Sequence, residues 1–63
     1  MTNAAQSLSQ SADIAATQGR TELAEQYRTW AQNAHSLGDI GNALYRHFAN
    51  EAAGYVARQG VGQ

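Results

Sequence analysis

The chain contains no cysteine, no proline and no lysine, and each absence narrows what it can be. Without cysteine, no disulfide can reinforce a 63-residue domain, a length at which a hydrophobic core alone is only marginally stable. Without proline, glycine is the only strong interruption of helical segments. Without lysine, all four basic residues are arginine, and they are spread along the chain instead of forming a cluster.

Charge is also scarce. Charged residues make up 14 % of the chain and the net charge is −1, whereas an ordinary soluble domain is roughly 25 % charged. A nucleic-acid surface normally needs a clustered excess of positive charge, so nucleic acid is a disfavoured partner. No apolar run approaches the ~18 residues of a membrane span, and no secretory signal pattern is present. We therefore expect a soluble, cytoplasmic protein with no membrane partner.

Large apolar side chains are few, because thirteen of the hydrophobic residues are alanine. The remaining core candidates are four leucines, two isoleucines, two valines, one methionine and five aromatic residues. Small domains with so thin a core usually need a disulfide, a metal or another chain. Association with another chain is the option that this composition leaves open.

The titratable residues do not form a recognisable catalytic or metal-binding pattern. His35 and His47 are twelve residues apart, with no acidic or thiol partner at ligand spacing. No serine stands where a nucleophile and its base could be argued from sequence. We therefore expect no enzyme activity, no cofactor and no metal, and we interpret both histidines as partly exposed helix residues.

Hydrophobic periodicity predicts an all-α fold. Residues 1–63 are expected to form a single small domain of three helices, at about 2–18, 21–37 and 39–59. In the first helix, an apolar stripe recurs at three- and four-residue spacing, and Gly19 suits the left-handed position that ends a helix. Thr21 and Asp39 are the expected N-caps of the second and third helices.

The second helix carries the most regular stripe. Its members are spaced four, three, four and three residues apart, which predicts one sharp apolar face: Leu23, Tyr27, Trp30, Ala34 and Leu37. The third helix has two adjacent apolar faces, which suggests contact with two neighbours. The first of these faces is the larger: Ile40, Leu44, Phe48, Ala52 and Tyr55.

A repeated motif relates the second and third helices. Residues 27–34 and 45–52 both read Tyr-Arg-x-aromatic-Ala-x-x-Ala, eighteen residues apart, or about five helical turns. Short connections make these helices an antiparallel hairpin, with an aromatic cluster near mid-length and alanines that permit close approach. Helix 1 is expected to pack across this hairpin and to be the least firmly fixed.

The functional prediction is a small helical interaction or assembly module. Three helices with so few large residues leave some aromatic surface uncovered, and aromatic residues and arginine dominate interface energetics. The expected partner is protein, either a second copy of the chain or a larger complex. Seven residues are the predicted partner contacts: Tyr27, Arg28, Trp30, Tyr45, Arg46, Phe48 and Tyr55.

A second hypothesis is a small, dimeric DNA-binding protein. The segment Ile14-Ala15-x-x-x-Gly19-x-Thr21 resembles the first helix, turn glycine and recognition-helix start of the helix-turn-helix family. That resemblance implies that Arg20, Thr21, Glu22 and Gln26 face DNA. The family's pattern requires apolar residues at positions that here are polar or charged, and burying them would cost several kcal/mol: Gln18, Arg20, Glu25 and Arg28.

Overall fold

The computed structural model describes residues 3–59, which form four α-helices and no strand. These are α1 (Ala4–Thr17), α2 (Thr21–Ser36), α3 (Asp39–Leu44) and α4 (Arg46–Arg58). The predicted all-α fold is confirmed, and the helix bounds agree with the predicted ones to within two residues. Thr2, the first residue of the predicted helix 1, lies outside the described residues. The predicted third helix is divided at Tyr45 into α3 and α4.

Two glycines make the turns between the helices. Gly19 and Gly38 have φ angles of 77° and 65°, a backbone conformation that disfavours residues with a Cβ. The predicted N-caps Thr21 and Asp39 are each wrong by one position. The N-cap residues are Arg20 and Gly38, whose carbonyls already accept the first intrahelical hydrogen bonds, and neither makes a side-chain cap.

Helix α1 lies at the centre of the packing, which corrects the expectation that it is the least firmly fixed. It contacts α2 on one side and α4 on the other. Its N-cap Asn3 accepts a 2.8 Å hydrogen bond from the backbone N–H of Gln6. Leu8 is fully buried and is the largest side chain in that state. The rest of its buried face is small: Ala4, Ser11, Ala12 and Ala15.

Alanine forms most of the core on the other two long helices as well. Ala24, Ala31 and Ala34 are buried on α2, and Ala49 and Ala52 are buried on α4. Tyr27 and Ala34 of the predicted stripe are buried, but Ala24 and Ala31 take the places of Leu23 and Trp30. The small residues face α1, where they allow its backbone to come close, while Leu23 and Trp30 lie at the edge.

Helices α2 and α4 are antiparallel, as predicted, but they meet mainly through aromatic side chains. Trp30 of α2 stacks on Phe48 near the start of α4, and Tyr27 contacts Tyr55 near its end. The expected close approach of these two helices through their alanines is wrong. Those alanines pack toward α1, because bulky rings hold α2 and α4 apart.

The short helix α3 packs against the end of α2 through Gly41. A Cβ built at this glycine would come within 2.8 Å of the Ala34 carbonyl carbon and of the Leu37 Cβ, and closer still to the Ala34 carbonyl oxygen. The Asn42 Oδ1 accepts a 2.6 Å hydrogen bond from the Ala4 N–H, which attaches α3 to the first residue of α1. These contacts direct α3 differently from α4, and Tyr45, with φ −98° and ψ 5°, makes the bend.

The two helical glycines differ in their surroundings, and this gives a matched prediction. We expect Gly41→Ala to lower the free energy of unfolding by roughly 1–3 kcal/mol, because its methyl group would overlap the backbone of α2. We expect Gly54→Ala to raise it by roughly 0.5–1 kcal/mol, because alanine is the better helix former. A Cβ at position 54 would meet only Arg58 Nη1, at 3.3 Å, on a flexible side chain.

Urea denaturation followed by far-UV circular dichroism measures both changes. Equal effects of the two substitutions would contradict the close contact between α3 and the end of α2.

Candidate interaction surface

All five aromatic residues form one continuous series of ring contacts, which we call the aromatic ladder: Tyr55, Tyr27, Trp30, Phe48 and Tyr45. Successive ring centroids are separated by 6.3, 5.9, 4.6 and 5.7 Å in that order. These distances lie in the range favoured by aromatic pairs. The shortest belongs to Trp30 and Phe48, whose rings are stacked with 28° between their planes. The predicted aromatic cluster is therefore present.

The ladder is buried near one end, at Tyr27, and partly open elsewhere. Tyr27 is only 6 % exposed, whereas the other four rings are half-buried. The Tyr55 hydroxyl donates a 2.9 Å hydrogen bond to Gln18 Oε1 at the end of α1. The Tyr45 hydroxyl accepts a 3.4 Å hydrogen bond from Asn33 Nδ2. Both contacts hold rings in place while leaving ring faces accessible.

The two arginines predicted beside the aromatics lie elsewhere. Arg28 forms an exposed ion pair with Asp13 of α1, at 3.0 Å between Nη2 and Oδ1. Arg46 lines a cleft beside Asn3 and Asn42, next to the start of α1. The structure therefore brings the five aromatic residues of the predicted contact set together, but it does not bring Arg28 or Arg46 to the same surface.

Three large aliphatic side chains are exposed next to the ladder. Leu37, Ile40 and Leu44 are 50, 67 and 60 % exposed, and we call them the aliphatic patch. The expectation that Ile40 and Leu44 continue the buried face of the third helix is wrong. Because Gly41 is the residue of α3 that faces α2, the flanking aliphatic residues are turned outward.

Leu44 directly precedes Tyr45, which is the last ring of the ladder, and Leu37 lies in the turn against which Gly41 packs. Sequence reasoning missed this patch because it assumed one straight helix over residues 39–59. The glycine at position 41 was the available signal, since a glycine inside a helix can mark a close backbone contact.

A groove of about 510 Å³ lies between α2 and α4, over the buried end of the ladder. Tyr27, Trp30 and Tyr55 line it together with Arg20 and Arg58. These two arginines face a groove different from those lined by Arg28 and Arg46. The four basic residues are thus distributed over three sides of the molecule.

Within residues 3–59, no group of three or more histidine, cysteine or acidic side chains is placed to hold a metal ion. His47 Nε2 lies 2.8 Å from Glu51 Oε2, one helical turn away, and both side chains are largely exposed. Among the helices described, none is long and apolar enough to cross a membrane.

Comparisons with protein-family models, with curated proteins and with solved structures find no match to this chain.

The fold alters the ionisation of Tyr27. Burial raises the pKa of its phenol above the ordinary value of 10.0, and the neighbouring Tyr55 and Glu51 act in the same direction. Arg58 opposes them by favouring the phenolate. The neutral phenol is therefore the form that the folded protein prefers.

This pKa predicts a loss of stability in alkaline solution. A group whose pKa is higher in the folded than in the unfolded state contributes fully below the unfolded value, and its contribution is lost as pH rises through the folded value. We expect the free energy of unfolding to fall as pH rises above about 10, and Tyr27→Phe to reduce that fall. Urea denaturation of the wild type and of Tyr27→Phe at a series of alkaline pH values measures the free energy of unfolding of each. Identical pH profiles would contradict the burial of this phenol.

A double-mutant cycle tests the central contact of the ladder. We expect Trp30→Leu and Phe48→Leu to show a coupling of about 0.5–1.5 kcal/mol in the free energy of unfolding, because stacked rings contribute beyond their buried area. The matched control cycle combines Phe48→Leu with Tyr55→Leu, whose rings are separated by two others. In this control cycle we expect the coupling in the free energy of unfolding to lie within about 0.5 kcal/mol of zero. A coupling in the control as large as that of Trp30 and Phe48 would count against the ordered stack.

Proposed function

We propose that the protein is a small helical module for protein–protein interaction or assembly, either self-associating or docking on a larger complex. The observation that carries this proposal is the aliphatic patch. Leu37, Ile40 and Leu44 are at least half exposed in a domain whose core has Leu8 as its largest fully buried side chain. Exposed apolar patches of this kind mark interaction sites in soluble proteins.

Burial energetics favour a partner at this surface. Covering one such aliphatic side chain contributes about 1.5–3 kcal/mol, before the entropic cost of association is subtracted. The half-buried rings of Trp30 and Phe48 extend the apolar surface, and aromatic residues are common energetic anchors at interfaces. The partner surface that we propose is therefore the aliphatic patch with the adjoining open half of the ladder.

Charge also favours a protein partner over DNA. The net charge is −1, and the described arginines are divided among three sides of the molecule. Arg28 is further neutralised by Asp13. A DNA-binding surface needs several cations on one side to release counterions from the phosphates. The glycine turn between α1 and α2 is what the helix-turn-helix hypothesis implies, but the several cations that a DNA surface needs are not gathered beside it.

The first experiment measures solution mass by light scattering and helicity by circular dichroism over a dilution series. We expect the wild type to exceed one chain at high concentration and to dissociate on dilution. We expect Ile40→Gln with Leu44→Gln to be monomeric at every concentration with unchanged helicity, because both side chains are exposed and glutamine is a good helix former.

The matched control places the same residue on exposed positions at the opposite end of the molecule, Ala16→Gln with Ala57→Gln. It should behave as the wild type. If the wild type has the mass of one chain at every concentration, self-association is excluded. If the patch variant then also retains the same proteins as the control on an affinity column, the aliphatic patch is overturned as the docking surface. Steeply salt-dependent binding to duplex DNA would establish the other hypothesis instead.

A further inference from the structure

The exposed side of α3 is arranged as a self-complementary surface. At 3.6 residues per turn, Ala43 lies at the middle of this side, with Ile40 and Leu44 on one flank and Asp39 on the other. Arg46 follows directly after the bend and lies on the same flank as Asp39. Two clefts show this independently, because Asp39 lines one and Arg46 lines the other, and both clefts include Asn3 and Asn42.

This arrangement has an apolar flank and a charged flank, with charges of opposite sign at the two ends. The acid is at the start of α3 and the base is just beyond its end. When two such helices lie antiparallel about a two-fold axis near residue 42, equivalent flanks meet. Ile40 of each copy then faces Leu44 of the other, and Asp39 of each copy faces Arg46 of the other.

We propose that the partner at this surface is a second copy of the chain, bound through an antiparallel α3–α3 contact with two-fold symmetry. This inference rests on the proposed function and names its partner. A two-fold interface requires that residue i contact residue j and that j contact i, and both the apolar pair and the charged pair satisfy this requirement. The methyl group of Ala43 beside the axis is small enough for the two helices to approach closely.

The contact is small. A helix of six residues is about 9 Å long, so an interface through α3 alone buries less than the roughly 1,200 Å² of stable complexes. The dimer is therefore weak and rapidly exchanging. A net charge of −1 per chain opposes it little. An assay that traps the transient contact is the appropriate one.

Disulfide trapping uses the absence of native cysteine. Ala43→Cys places one thiol beside the two-fold axis, and Ala57→Cys places one at an exposed position at the far end of the molecule. Under mild oxidation we expect the A43C protein to form a disulfide-linked dimer faster than the A57C protein does. Equal rates of dimer formation would overturn the α3–α3 contact.

Charge reversal supplies an independent test. In a dimer of Asp39→Arg chains, both 39–46 pairs become two positive charges. In a dimer of Arg46→Glu chains, both pairs become two negative charges. At low ionic strength we expect each variant to self-associate at least about tenfold more weakly than the wild type. Mixing the two variants should restore association, because a D39R copy and an R46E copy together form two attractive pairs. Circular dichroism of each variant confirms that it is folded.

The outcomes separate this inference from the proposed function. One outcome is that the wild type self-associates and the I40Q and L44Q double variant is monomeric, but A43C forms no more dimer than A57C and charge reversal has no effect. The patch then binds in another geometry, and only the α3–α3 contact is overturned. If the wild type is monomeric at every concentration and A43C matches A57C, the second copy is overturned as the partner. Restored association in the mixed variants supports the pairing of residue 39 of one copy with residue 46 of the other.

Discussion

Close packing of α1 against alanine-rich faces is the constraint on which the rest of the structure depends. The helix brings Ala4, Leu8, Ala12 and Ala15 to the centre, and its neighbours present mainly alanine to it. Small side chains allow helix backbones to approach, so much of the stability comes from many short contacts instead of a few large buried groups. The full burial of Leu8 shows how little room this arrangement leaves inside.

The same constraint moves large side chains outward. The aromatic residues occupy the seam between α2 and α4, where the helices are farther apart, and four of the five rings are only half-buried. The aliphatic residues of α3 and of the turn before it are left on the surface, because a glycine takes the inward position. A core built from alanine thus leaves most of the large apolar side chains at or near the surface.

The sequence was sufficient to predict the helices, the glycine turns and the aromatic cluster, because these depend on local periodicity and backbone preference. It was not sufficient to show which residues of α2 face α1. The apolar pattern predicts that Leu23 and Trp30 are buried, because large apolar side chains are usually the buried ones, but the structure buries Ala24 and Ala31 instead. Tyr45 itself carries no signal of the bend, because the bend results from the packing of Gly41 on the end of α2 and from the hydrogen bond of Asn42 to Ala4, 38 residues away.

Two side-chain hydrogen bonds hold α1 at both of its ends. Asn42 holds Ala4 across 38 residues of chain, and Tyr55 holds Gln18 across 37. By contrast, α1 and α2 are joined by three residues, so their contact closes a short loop at small entropic cost. We therefore expect the α1–α2 pair to form early in folding and α4 to dock last. The ring stack of Trp30 and Phe48 is then a late event in folding, and its loss accelerates unfolding more than it slows folding.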